Sequence, residues 1–500
     1  MPATRPFLLI GLCLWAFLAT APAVAQEAEP TPAAPKVTVK SMVAETGAAF
    51  DRGDYARAEE LLRKHLAVEP GNFVVLYNLA CARAMQSDPA GAGEWLVKAV
   101  ESGFIDLHRM RTDPMLDPVR EDPNYHKLVD NWPVVLKARR DADVKGLEKR
   151  YGKGYATTSD ERLRLTYRSA FHPAAFESAR AEMTRLAEWA DREIMPGILD
   201  PEKGVDDPWV SVILPTRDDF RDWISERYGP DMLDGPSTVG GAYIHDTKQL
   251  IAMDLGATFR HEFLHILHWR SMSRLGQQHP VWVMEGLCSL VEDYDADAGG
   301  GITPATSWRT NLLKRREKIN RLFKIEQFVK VSQSKFTSTT PLAHYAQARA
   351  IFLFLHQRGK LRDWYAHYTS NFDADPSGLA SLTSVLGMTA TEFDGEFRAW
   401  VKALPQVPEE IRAGMASLGV EVDAGEGEGV VVTRLAKPKL VEGTLRLNDI
   451  ITAIDEKPVR DTAELVRVLS AYSPGAEVQV SYRRAKKVST CRVKLIAKPR

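Results

Sequence analysis

The stretch Thr258-Phe259-Arg260-His261-Glu262-Phe263-Leu264-His265-Ile266-Leu267-His268-Trp269 decides the reading of the chain around it. It sets an HExxH pattern inside an apolar run, and on a helix two histidines four residues apart project from one face. His261 and His265 can then reach one metal ion, with Glu262 beside it. Continuation as HExxHxxGxxH is excluded, because His268 occupies the glycine position and Ser271 the final histidine position. Downstream, Pro280-Val281-Trp282-Val283-Met284-Glu285-Gly286-Leu287 carries an acidic residue in an apolar helical stretch, with 19 residues between it and His265. Glu285 would complete a His2Glu set and leave a fourth position for water.

These two motifs in this order, with Trp282, Glu285 and Gly286 in a W-x-x-E-G pattern, resemble the gluzincin peptidases, the clan of thermolysin-like enzymes, over residues 155–405. The resemblance implies one zinc ion per chain on His261, His265 and Glu285 and a peptide or protein substrate. It implies Glu262 as the general base, taking the proton of a zinc-activated water and passing it to the leaving amine. It also implies an oxyanion donor on a later helix, for which Tyr345 is the first candidate and His344 the second. Thermolysin-like enzymes carry an aspartate four residues after the glutamate ligand. Ser289 stands there, while Glu292, seven residues after Glu285, shares its helical face and is the substitute candidate. His268 and His279 read as packed or loop histidines. Asp293-Tyr294-Asp295-Ala296-Asp297-Ala298-Gly299 has calcium-loop spacing, but Ala298 replaces the glycine and Pro304 the closing glutamate, so it reads as a flexible acidic loop.

Outward from the motif, residues 162–167 alternate as a half-buried strand does, 173–194 suit a long amphipathic helix, 209–214 a buried strand and 218–227 a helix. Residues 240–244 and 249–253 flank His245-Asp246-Thr247-Lys248 as a hairpin, whose strand 250–253 is the expected edge for an extended substrate. Helices at 312–331 and 345–357 complete the expected second half of the domain.

Before this region, Arg5, an apolar run over 7–18 and Ala23-Val24-Ala25 match a signal peptide at 1–25, which predicts export to the periplasm or secretion. Residues 26–40 are Pro-, Ala- and Glu-rich and read as a flexible linker. Asp54-Tyr55-Ala56-Arg57-Ala58 and Asp88-Pro89-Ala90-Gly91-Ala92 lie 34 residues apart. That period resembles tetratricopeptide repeats over 41–137 and implies a face for a protein partner. The region 138–405 is then the gluzincin-like domain. Beyond Pro405–Pro408, the order of Leu418-Gly419-Val420-Glu421, Gly429-Val430-Val431-Val432, Ile454-Asp455-Glu456-Lys457-Pro458-Val459 and Val478-Gln479-Val480-Ser481-Tyr482 resembles a PDZ domain over 410–498. In that family Ser417, Leu418, Gly419 and Val420 would form the loop whose backbone N–H groups receive a peptide's terminal carboxylate. Asn448 stands where many relatives have glycine, and the basic run Arg483, Arg484, Lys486, Lys487 reads as a solvated face. A gluzincin core followed by PDZ also resembles the glycyl-aminopeptidases, but their N-terminal β-domain is not evident, so their specificity is not implied.

Composition sets outer bounds. The chain of 500 residues is 44% hydrophobic and 26% charged with a formal charge of −1, which becomes −2 without residues 1–25. That balance excludes a basic nucleic-acid binder. Cys81, Cys288 and Cys491 are widely scattered, so a disulfide framework is not expected. The expected fold is therefore multidomain: an all-α repeat, an α+β zincin catalytic domain and a small, mostly-β PDZ domain. The alternative function is an exported repeat and PDZ scaffold with a catalytically inactive core.

Overall fold

The computed structural model describes residues 39–229, 239–296, 301–435 and 445–499. The expected signal peptide lies outside these residues, as does the expected linker except for its last two positions, which belong to the first helix.

The N-terminal region is helical. Helices Val39–Asp51 and Tyr55–Val68 are followed by Phe73–Met85 and Pro89–Glu101, each beginning 34 residues after its counterpart. Asp54, Asn72 and Asp88 each cap a helix by accepting backbone N–H groups in its first turn. Alanines at 49, 58, 80 and 92 are fully buried where the helices meet. The boundary expected at 137/138 falls inside helix Trp132–Arg150. Trp132 and Leu136 belong to the helical core, whereas Leu147 packs with Ile213 and Phe220 of the next domain, so one rigid rod joins the two.

The central domain carries β1 (Ala156–Asp160), β2 (Leu165–Ser169), β3 (Val210–Leu214), β4 (Gly241–Ile244) and β5 (Gln249–Ala252) in the order β1-β2-β3-β5-β4. β2, β3 and β5 are parallel, and β1 and β4 flank them antiparallel. Two expectations change here. β2 is buried along its whole length, because Arg164 turns at φ 48 and the strand starts only after it. Among the described residues the terminal strand of the hairpin is β4 rather than the strand at 250–253, since β5 is enclosed between β3 and β4.

Helices Pro173–Glu193, Ala257–Leu275, Val281–Leu290 and Pro341–Gln357 share one core with this sheet. The single helix expected at 312–331 is two, Trp308–Lys318 and Ile325–Phe328, interrupted by Asn320 at φ 56. Part of the expected acidic loop is ordered: β6 (Tyr294–Ala296) pairs antiparallel with β7 (Ile302–Pro304), while 297–300 lie outside the described residues.

The C-terminal domain has its own core and a sheet in the order β14-β13-β11-β10-β9. Its strands are β8 (Ala416–Ser417), β9 (Val420–Ala424), β10 (Val430–Leu435), β11 (Ile450–Ile454), β12 (Lys457–Pro458), β13 (Glu477–Arg484), β14 (Lys487–Lys494) and β15 (Ile496–Ala497), with helix Thr462–Ser470 before β13. Asn448 takes φ 66, a left-handed conformation that asparagine tolerates better than most residues. The basic run is only partly a solvated face: Arg484 grips the fully buried Asp449 with two bonds of 2.7 and 2.8 Å, and Arg483 pairs with Glu428. Cys81, Cys288 and Cys491 are free thiols.

Candidate metal centre

The HExxH stretch forms helix Ala257–Leu275. Asp254 opens it by accepting the N–H of Gly256 at 2.8 Å and of Thr258 at 3.3 Å, and Gly276 closes it at φ 65. Phe259, Phe263, Leu264 and Ile266 are fully buried and fix its rotation in the core. The opposite side then turns His261, Glu262 and His265 toward helix Val281–Leu290.

That second helix approaches unusually closely to helix Pro341–Gln357 behind it. A Cβ on Gly286 would lie 2.5 Å from the Phe352 ring and 2.9 Å from the Ala348 carbonyl oxygen. Glycine is thus required beside Glu285 by packing. Trp282 stacks on Phe352 at 5.3 Å and donates to the Ser377 carbonyl at 3.0 Å, locking the same helix.

Glu285 Oε2 consequently stands 3.3 Å from His261 Nε2 and 3.7 Å from His265 Nε2, and the two Nε2 atoms are 3.2 Å apart. Donors about 2.0–2.1 Å from a tetrahedral ion are separated by roughly 3.3 Å, so these three atoms fit a zinc ion. Glu285 Oε2 is buried without a hydrogen-bond partner, which leaves an acceptor facing both imidazoles. Electrostatics agree with a cation site. Burial opposes the charge on His261, yet Glu285 and Glu292 hold its imidazole up at about 10. Burial likewise opposes the charge on Glu285, but the two imidazoles hold it down at about 2. The carboxylates favour positive charge at this point, and a metal ion bound there would release the proton that His261 holds.

Glu292 occupies the position that the sequence left open. Its Oε1 accepts from His261 Nδ1 at 3.0 Å, which leaves Nε2 turned toward Glu285 and His265. Arg309 grips Glu292 from the other side, Nε to Oε2 at 2.6 Å and Nη2 to Oε1 at 2.9 Å. Arg309 gave no sequence signal, being one of many arginines. Neither did Arg349, fully buried, whose guanidinium holds the carbonyls of Ser289, Asp293 and Ala305 around the same turn.

Glu262 lies beside the triad, 8% exposed. Burial raises its carboxyl above the ordinary value, against the two imidazoles. β4 runs directly over it: a Cβ on Gly241 would come within 3.0 Å of Glu262 Cγ, and the Tyr243 backbone hydrogen-bonds the carboxylate. Tyr345 is half-buried, its ring centroid 6.4 Å from that of His261, and its hydroxyl interacts with Glu285. Burial and that negative charge push the phenol up, so it stays a donor. The second candidate, His344, is excluded by position: it is stacked between Phe323 and Phe336, and its Nδ1 bonds the Phe336 carbonyl. His268 and His279 lie away from the triad as a buried pair, Nε2 to Nδ1 at 2.8 Å.

In the C-terminal domain, Ser417 ends β8 and Val420 begins β9, the terminal strand of its sheet. Leu418 is buried, and Gly419, at φ 74, donates its N–H to Ser417 Oγ at 3.2 Å. One amide of the expected carboxylate loop is therefore already engaged.

Eighteen chains of solved structures match this chain. One is an aminopeptidase N family protein from Idiomarina loihiensis, 14% identical, with a TM-score of 0.28, covering 69% of this chain and 67% of that one. No curated protein matches. Residues 416–495 match the PDZ domain family, so the C-terminal unit of this multidomain chain is a PDZ domain.

Proposed function

We propose that this chain is a zinc-dependent metallopeptidase of gluzincin type that hydrolyses peptide bonds outside the cytoplasm, with 1–25 as its signal peptide and 138–405 as its catalytic domain. The observation that carries the reading is the triangle of His261 Nε2, His265 Nε2 and Glu285 Oε2, with sides of 3.2, 3.3 and 3.7 Å, next to Glu262 and beneath the edge strand β4. Zinc bound there supplies Lewis acidity, making a water acidic near neutral pH and polarising a carbonyl. β4, the terminal strand of the sheet among the described residues, would align an extended peptide by main-chain hydrogen bonds. Glu262 takes the proton of the attacking water and returns it to the leaving amine, a role suited to a carboxylate whose burial has raised its basicity. Tyr345, kept protonated, donates to the developing oxyanion. Glu292 holds His261 in the tautomer that presents Nε2.

The PDZ domain and the helical repeats are proposed to bind a peptide C-terminus and a protein partner respectively. The test of the catalytic reading is zinc content and hydrolysis of a broad peptide library by the wild type and Glu262→Gln. One zinc per chain in both, with hydrolysis in the wild type alone, is expected. Zinc in both with hydrolysis in neither overturns the reading in favour of an inactive scaffold.

A further inference from the structure

The PDZ domain closes over the start of the HExxH helix. Leu255 donates its N–H to the Gly427 carbonyl at 2.9 Å, and a Cβ on Gly427 would lie 2.4 Å from the Met253 carbonyl oxygen. The β9–β10 turn is thus seated against the catalytic domain with no room for a side chain.

Beside this contact lies a cluster of charges, one acid and one base from each domain, of which Arg260, Glu182 and Arg460 are buried. Arg260, the residue before His261, is 3% exposed and reaches Glu182 Oε1 at 3.1 Å and the PDZ residue Glu464 at 2.9 Å. Glu182, 1% exposed, also receives Arg460 of the PDZ domain and the Tyr294 hydroxyl, the latter at 2.8 Å. The second oxygen of Glu464 accepts the Arg460 backbone N–H at 2.9 Å. Burying such groups is costly unless opposite charges meet, as they do across this contact, and a loosely tethered module has no need of them.

The remaining donors of Arg260 point at the metal centre's support. Its Nε bonds the Val291 carbonyl at 3.1 Å, and its Nη2 the Glu292 carbonyl at 2.6 Å. The guanidinium therefore holds the backbone from which Glu292 extends to His261 Nδ1. Arg467, one turn beyond Glu464 on the same PDZ helix, bonds Asp293 Oδ1 at 2.9 Å and the Thr306 carbonyl at 2.8 Å. Two side chains of one PDZ helix thus fix the segment on either side of the Glu292–Arg309 pair.

We propose that the PDZ domain is part of the metal centre's support: Glu464, acting through Arg260, is a positioning residue that places Glu292 on His261. A competent site therefore requires the docked PDZ domain. This inference rests on the zinc reading of His261, His265 and Glu285.

The test uses the full-length chain as wild type, Glu464→Ala and Glu464→Gln. Zinc affinity is measured by chelator competition, and amide hydrogen exchange is followed in the metal-free protein. In Glu464→Ala, zinc affinity is expected to fall about tenfold or more, the range seen when an outer support of a ligand is lost. Exchange is expected to rise over 291–294 but not over helix Pro341–Gln357, and kcat to fall with KM little changed. Glu464→Gln, which keeps the side chain's size and one acceptor, recovers part of each loss and gives the answer if the alanine variant does not fold. Faster exchange over 291–294 with wild-type zinc affinity and kcat overturns the proposal. Unchanged exchange does so as well. Failure of the wild type to bind zinc instead defeats the metallopeptidase reading, and exchange over 291–294 still decides whether Glu464 positions that segment.

Discussion

Replacing Glu292 by glutamine isolates the orientation of His261 from its proposed role as a zinc ligand. In the wild type one carboxylate serves two donors at once: His261 Nδ1 at 3.0 Å and the Arg309 fork at 2.6 and 2.9 Å. Although burial opposes its charge, Arg309 and His261 hold it well below the usual carboxylate range. An amide of the same shape cannot satisfy both. With its oxygen toward His261, its NH2 meets the guanidinium donors. With its oxygen toward Arg309, its NH2 faces Nδ1 and drives the proton to Nε2, the nitrogen that must stay free. Either outcome weakens zinc binding by about 10- to 100-fold, or about 1.4–2.7 kcal/mol. Competition against a chromogenic chelator at pH 7, with circular dichroism to confirm folding, measures this directly. A folded Glu292→Gln chain that holds zinc within twofold of wild type refutes the link between Glu292 and the ligand tautomer.

Gly286→Ala pits a helix-propensity gain of about 1 kcal/mol against a Cβ placed 2.5 Å from Phe352 and 2.9 Å from a backbone oxygen that cannot rotate away. Overpacking of about 1–3 kcal/mol or more should win, lowering the central domain's melting temperature by several degrees and loosening Glu285; an unchanged or raised Tm contradicts this. Lys248 carries a pH signature: burial lowers its ammonium to about 8, against an ordinary 10.5. Between those values the unfolded chain holds a proton that the folded chain has released, so stability rises with pH across that window. Denaturant titrations should show the rise in wild type and a flatter profile in Lys248→Met; identical profiles would discount the burial of the charge.

Legibility from the sequence followed the range of each interaction. His261, Glu262 and His265 are one helical turn, so spacing alone places them together. Glu292 was legible because it sits seven residues after Glu285 and the turn beyond their helix keeps it near that face. Its grip by Arg309 was not, since nothing local marks which arginine folds back. β1 was missed because Ala156-Thr157-Thr158-Ser159-Asp160 is a polar, partly exposed edge with no apolar alternation to betray it. The hairpin was read correctly as a hairpin, but its turn cannot tell which strand meets β3.

The sequence by itself determined the side-chain chemistry and the helical periods, because these depend on residue type and on spacings of a few positions. It also marked the PDZ segment through its ordered run of strands and its helix. Only the tertiary structure decided that β4, not β5, is the terminal strand over Glu262, and that Glu285 meets both imidazoles across two packed helices. It also decided that Glu464 closes on Arg260 from 204 positions away. Those choices depend on which buried surfaces and charges find each other in three dimensions, and such partners leave no periodic trace along the chain.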